Sequence, residues 1–193
     1  MAALRAGRRV LAVDATCGNG HDTLFMASCL ARHALDTPWD ILALDVQEPA
    51  LDSAKSLLSP SGHAACVTFI ARGHEHLQRI LNGHAADLRE RGEAEPVLAA
   101  VMYNLGFLPR SDKRVTTRQD STLRSLGMAA SALGRNGILS IHAYGGHAGG
   151  LEELEAVDAW CAALPFDEWL VARYCMVNKT RNPEVLHLAW KRP

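Results

Sequence analysis

The chain lacks three things. No apolar run approaches the roughly 18–20 residues that cross a bilayer, so a helical membrane anchor is not expected. Its five cysteines (Cys17, Cys29, Cys66, Cys161, Cys175) form no CxxC pair and no metal-ligand spacing. An odd number of unpaired thiols reads as reduced cysteine in a cytoplasm, with no metal site. There is also no excess of charge: 20 Lys and Arg face 21 Asp and Glu, for a formal net charge of -1. A near-neutral chain does not hold nucleic acid by bulk electrostatics, although Arg110, Lys113, Arg114 and Arg118 would form a local basic patch or a solvated loop. Repeats, low-complexity tracts and long linkers are missing too. Met1–Val10 has arginines but no apolar signal segment or cleavage site, and reads as unprocessed.

What is present fits one domain, residues 1–193, with 48% apolar residues. Short apolar runs alternate with segments of helical periodicity. Val10–Ala15, Trp39–Asp45, Ala65–Ile70, Val97–Asn104 and Gly137–Tyr144 read as buried strands. His21–Arg32, Pro49–Leu58, Thr117–Leu133 and Leu151–Ala162 read as helices, as do His74–Asn82 and His84–Arg91 on either side of Gly83. Trp169–Met176 and Val185–Trp190 read as a closing antiparallel pair. Alternating strands and helices imply a Rossmann-like α/β fold: a mostly parallel seven-stranded sheet, an antiparallel terminal strand and helices on both faces. This is the class I methyltransferase arrangement.

The first turn reads Asp14-Ala15-Thr16-Cys17-Gly18-Asn19-Gly20-His21-Asp22-Thr23. It follows a strand and opens a helix, where doubly wound sheets bind ligands. A dinucleotide loop wants GxGxxG, but Thr23 stands where the third glycine would be. Asp14 would sit poorly beside a pyrophosphate and suits the cationic amino-acid part of S-adenosylmethionine. The DxxxGxG pattern therefore favours the methyl donor over NAD; a turn that binds nothing is the alternative. Asp45 ends the second strand and can accept both ribose hydroxyls, with Val46 beside the adenine; it can equally cap the helix that begins near Pro49. His74 and Glu75, after the third strand, are candidates for the adenine edge.

The fourth strand runs into Asn104-Leu105-Gly106-Phe107-Leu108-Pro109. Amino-methyltransferases place an Asn/Asp-Pro-Pro-aromatic tetrapeptide here, and Asn104 to Phe107 has that layout with Pro-Pro replaced. Asn104 would orient a target amine and Phe107 would stack on a base; otherwise Asn104 caps the strand and Phe107 is core. A sulfonium is already a strong electrophile, so alignment matters more than a dedicated base. His147, in a glycine loop after Tyr144, is a candidate for assistance or for RNA contact, and is otherwise structural.

Taken together, DATCGNGHDT (Asp14–Thr23), LDVQ (Leu44–Gln47), NLGFLP with Asp112-Lys113, Thr116-Thr117 and GHAGG (Gly146–Gly150) resemble one family. It is the rRNA-methylase family of the YtqB/MnmM type, whose members methylate the aminomethyl group of 5-aminomethyl-(2-thio)uridine at the tRNA wobble position. The resemblance runs from about Arg9 to the C-terminus. It implies S-adenosylmethionine as cofactor, S-adenosylhomocysteine as product, and the tRNA anticodon region as partner. The cofactor side would comprise Asp14, Thr16, Gly18, Asn19, Gly20, His21, Asp22, Thr23, Asp45, Gln47, His74, Glu75 and Asn104. The substrate side would comprise Asn104, Leu105, Gly106, Phe107, Pro109, Arg110, Lys113, Thr117, Tyr144 and His147, with Lys113 suited to phosphate.

Departures accompany the resemblance. Arg110-Ser111 replaces a usual glycine pair, Phe107 a common tyrosine, and Pro183-Glu184 a pair of prolines. Relatives usually carry a helix of about 20 residues before the first strand; a shortened domain could cover exposed surface by forming a homodimer. Competing readings are a methyltransferase of another RNA or small-molecule amine, a nicotinamide-dependent oxidoreductase, and a binding module without activity.

Overall fold

The computed structural model describes residues 8–34, 36–106, 116–179 and 181–193. Among these, seven strands form one sheet: β1 (Val10–Asp14), β2 (Trp39–Asp45), β3 (Val67–Ala71), β4 (Val97–Leu105), β5 (Ile138–Tyr144), β6 (Trp169–Cys175) and β7 (Glu184–Lys191). Their order is β3-β2-β1-β4-β5-β7-β6. The first five pair in parallel, whereas β7 runs antiparallel to both β5 and β6. Five α-helices are described: α1 (His21–His33), α2 (Glu48–Leu58), α3 (Leu77–Glu90), α4 (Gln119–Ala132) and α5 (Gly150–Ala162). None is long and apolar enough to cross a membrane.

The near-continuous apolar strands are explained by burial on both faces. Leu11, Val13, Leu42 and Leu44 share a core with Leu77 of α3, Leu126 of α4 and Val157 of α5. Alternate residues Ala12, Ile41 and Ala43 share the other core with Met26 and Ala27 of α1 and Leu51, Ala54 and Leu58 of α2. Two helices thus cover one face and three the other. Strand order reverses at β1, which pairs with β2 on one side and β4 on the other. At that switch point the chain leaves the strand ends in opposite directions and opens a crevice.

Gly20 fixes how closely the first helices approach. It caps α1 at φ 86°, and a Cβ there would lie 2.7 Å from the Cβ of Ala54 in α2. A side chain would meet both the left-handed backbone penalty and that contact.

The structure differs from the sequence pattern in three segments. Gly83 does not separate two helices: α3 is continuous from Leu77 to Glu90, and His74–His76 is a 3-10 turn before it. One helical glycine costs about 1 kcal/mol relative to alanine, and burial of Leu77, Ile80, Leu81 and Leu88 offsets it. The third strand begins at Val67, because Ala64–Cys66 forms a 3-10 turn. Helix α4 begins at Gln119 and not at Thr117, since Arg118 is extended and the Thr117 N–H donates to the Gly106 carbonyl.

Candidate active site

The loop between β1 and α1 is fastened from below and from the side. Asp14 is fully buried; its carboxylate accepts from the Thr23 hydroxyl at 2.6 Å and from the Thr16 N–H at 3.3 Å. Burial pushes Asp14 up to about 7; the nearby Asp22 and Asp45 charges add to this and the Thr23 bond opposes it. The neighbouring Cys17 thiol is pushed by burial up to about 12, so no thiolate forms there near neutrality. Asp45 holds the loop from the end of β2. One of its oxygens accepts from the Gly18 N–H at 2.8 Å and the other from the Gln47 N–H at 2.9 Å. Each oxygen keeps a second lone pair for a ligand hydroxyl.

These elements form one wall of a cleft of about 1020 Å³. Thr16, Gly18, Asn19, His21, Asp22, Asp45, Gln47, His74 and Glu75 all line it. Asp14, Gly20 and Thr23 do not. The expectation that Asp14 faces a bound cation is therefore corrected: its carboxylate turns inward to Thr23, and Gly20 turns to Ala54. Val46 is 56% exposed at the cleft, an apolar surface open to a flat ring. His74 is buried, with its ring edge-on to Tyr103 at 5.8 Å. Burial holds His74 below the usual histidine value, against the pull of Glu75, and its buried Nδ1 has no hydrogen-bond partner among the described residues.

A second wall rises from β4, beside the first. Tyr103 and Leu105 point into the core, so Asn104 between them faces the other way, toward the cleft. Its N–H donates to the Thr16 hydroxyl at 2.6 Å, and its Nδ2 donates to an Asp22 oxygen at 2.5 Å. With one Nδ2 hydrogen taken by Asp22, the amide's orientation is set, and it keeps the acceptor Oδ1 and one further N–H. Leu105, Gly106, Thr117, Tyr144 and His147 also line the cleft. The His147 ring sits against Gly150, where a Cβ would come within 2.8 Å of Nε2 and 2.6 Å of the Tyr144 carbonyl. The Tyr144 hydroxyl lies 2.9 Å from Nδ1 of His142. Phe107, Pro109, Arg110 and Lys113 lie outside the described residues, and so does most of the expected basic patch.

Some cleft residues were missed by the sequence reading. Ser121 and Arg124 of α4 line it beside Arg118, as do Lys179, Asn182 and Glu184 near β7. Glu153 is another omission. It is buried in α5 and accepts from the hydroxyls of Thr117 and Thr122, each at 2.6 Å. The available signal was an acid four residues before the core residue Val157, on one helix face. Among the described residues, no group of three His, Cys, Asp or Glu could hold a metal ion.

A glycine loop at the switch point, an acid closing β2 and a reversed β7 define the class I methyltransferase fold. Within that class, the chain belongs to the family described as "Putative rRNA methylase", whose model matches residues 41–189. A curated Arabidopsis thaliana protein, tRNA (mnm(5)s(2)U34)-methyltransferase, chloroplastic, is 34% identical over 183 residues, which is 93% of this chain. The chain spans 62% of that relative's length. A Clostridium thermocellum structure described as a "putative rRNA-methylase" superposes with TM-score 0.77 at 29% identity, over 96% of this chain and 89% of that one. A Streptococcus mutans methyltransferase structure in complex with SAH gives TM-score 0.72 at 26% identity, over 98% and 94%.

Proposed function

We propose that the protein is an S-adenosylmethionine-dependent N-methyltransferase. Its substrate would be the aminomethyl group of 5-aminomethyl-(2-thio)uridine at the wobble position in the tRNA anticodon region, and its product 5-methylaminomethyl-(2-thio)uridine. The observation that carries this reading is Asn104, an amide at the end of β4 with one side-chain N–H held by Asp22 and its backbone N–H held by Thr16. An acceptor fixed in this way suits the N–H of an amine. The family and the Arabidopsis relative support the choice of substrate. The five free cysteines fit a reducing compartment such as the cytoplasm.

The cofactor, when bound, supplies an electrophilic methyl group on a sulfonium. Asp45 would hold its ribose hydroxyls with the lone pairs that Gly18 and Gln47 leave open. Val46 would cover one face of the adenine, and His74, which lines the cleft, would stand near its polar edge. Beside these residues, Asn104 Oδ1 would accept one N–H of the substrate amine and so orient its nitrogen lone pair. Alignment of this kind is a large part of what a methyl transfer asks of the protein. Partial desolvation and a nearby positive charge keep the amine neutral. The bound donor would supply the methyl carbon and retain the electron pair of the bond it gives up, and the surplus proton of the substrate amine would leave to water.

The test uses two tRNA preparations, one carrying the 5-aminomethyl group and one lacking it, each with isotopically labelled adenosylmethionine. Label is expected only in the first. Equal labelling of both would overturn the substrate assignment. A second reading keeps the donor and assigns another RNA or small-molecule amine; the net charge of -1 favours it, and equal labelling would support another amine of the tRNA, whereas label in neither would support a substrate outside it.

A further inference from the structure

A second recess, of about 450 Å³, lies between β3 and α3. Strand β3 is an edge of the sheet, so the recess opens along a border where no further strand pairs. Helix α3 presents Arg79, Gly83 and Asp87 to it, and Arg91, the C-cap, continues the row, each four residues after the last. Four-residue spacing makes this one stripe along the helix, and twelve residues at 1.5 Å rise give roughly 18 Å from Arg79 to Arg91. Gly83 leaves open space between the arginines: a Cβ there would meet nothing within 4 Å. Arg72 stands at the upper end, one residue before Gly73 and His74 of the main cleft, so the recess leads toward the cleft.

The arginines of this recess divide into two kinds. Arg9, at the lower end, is bound to Asp40 and Glu93, and Asp40 also contacts His84. The guanidinium groups of Arg72, Arg79 and Arg91 have no hydrogen bond or ion pair with any described residue. Asp87 is the acid that faces them and offsets one charge. The chain as a whole is near neutral, so an unpaired cationic row is a local feature. A recess with low-dielectric walls focuses such a field. Three guanidinium groups spread over this distance cannot close around one small anion, but they match successive phosphates of a strand.

We propose that this groove binds the sugar–phosphate backbone of the RNA whose reacting nucleotide enters the main cleft. The proposal rests on the function assigned above. The groove supplies sequence-independent affinity at a distance from the reacting atoms, and the cleft supplies the chemistry.

The experiment is a salt series of fluorescence anisotropy with labelled, unmodified tRNA transcript. It compares wild type with the Arg72→Ala/Arg79→Ala/Arg91→Ala triple variant and with Arg79→Ala alone. Calorimetry with adenosylmethionine serves as the control for folding. The triple variant is expected to lose roughly tenfold or more in tRNA affinity and to flatten the slope of log K against log salt by about 2, near 0.7 to 0.9 per phosphate contact. Donor affinity stays at the wild-type value. Arg79→Ala, on an exposed helix surface, lowers the slope by about 1 and stands in if the triple variant fails to fold. Unchanged slopes in folded variants would overturn the proposal, as would a wild-type groove that takes polyglutamate and ignores tRNA. The readout needs no methyl transfer, so the groove can stand or fall apart from the reaction.

Discussion

The two walls of the main cleft are built by different means. The wall from β1 and β2 is held largely by backbone: the N–H groups of Thr16, Gly18 and Gln47 converge on Asp14 and Asp45, and Ala15 and Cys17 bond to the main chain of Met102 and Leu44. The wall from β4, α4 and the loop after β5 is held largely by side chains. Asn104 bonds to Asp22, and Thr117 and Thr122 bond to Glu153. A backbone-built wall has one shape and suits a constant ligand. A side-chain-built wall can be altered one contact at a time, which suits the half that selects the substrate. In the proposed account, the first wall carries donor affinity and the second carries transfer.

That division can be broken at each point. The largest effect is expected from Asn104→Ala. Methyl transfer at saturating donor should fall about a hundredfold or more, with donor affinity kept within about threefold; wild-type turnover would remove Asn104 from the reaction. Next is Asp45→Ala, which removes the acceptor for two ribose hydroxyls and the anchor of Gly18. Calorimetry should show donor binding weakened by roughly a hundredfold, about 2–3 kcal/mol, and unchanged affinity would confine Asp45 to a structural role.

Asp22 sharpens the comparison because it lines one wall and holds the other. Asp22→Ala frees the Asn104 amide to turn and should slow transfer by about tenfold. Asp22→Asn keeps a carbonyl for Asn104 Nδ2 and should slow transfer less. Equal losses in the two variants would mean that the charge of Asp22 matters and the orientation of the amide does not.

Glu153→Ala leaves the buried Thr122 hydroxyl and the half-buried Thr117 hydroxyl without their acceptor and should destabilise the fold by about 2 kcal/mol in denaturant titration. Glu153→Gln should cost less, and no loss in either would make the contact incidental. The last test concerns the pH dependence that Asp14 sets. Burial raises its folded-state value to about 7 from 3.8, so between those values the folded protein holds a proton that the unfolded chain releases. Stability from this group therefore falls as pH rises from about 4 to about 7. Asp14→Asn should flatten that slope, and an unchanged slope would show that Asp14 is ionised when folded.

Much of this was legible in the sequence, for physical reasons. Trp39–Asp45 could be bounded to the residue because an apolar run buried on both faces stops at a carboxylate. The loop from Asp14 could be placed because glycines between strand and helix have few other uses. Which way Asp14 points was not legible: the same DxxxGxG spacing serves a carboxylate aimed at the ligand or one aimed at Thr23, and only the packing decides. Glu153 was hidden by its acidic neighbours Glu152 and Glu155, which are exposed. The arginines of the second groove were hidden by separation, since Arg72 reaches the stripe of α3 only through the turn at Gly73.

The most direct test of the account is nucleoside mass spectrometry on tRNA bearing 5-aminomethyl-(2-thio)uridine, after incubation with the purified protein and adenosylmethionine. The account predicts one added methyl, on the exocyclic nitrogen of the wobble nucleoside, with the aminomethyl form consumed in proportion. A methyl found instead on a ribose, on a ring position or in ribosomal RNA alone would contradict it.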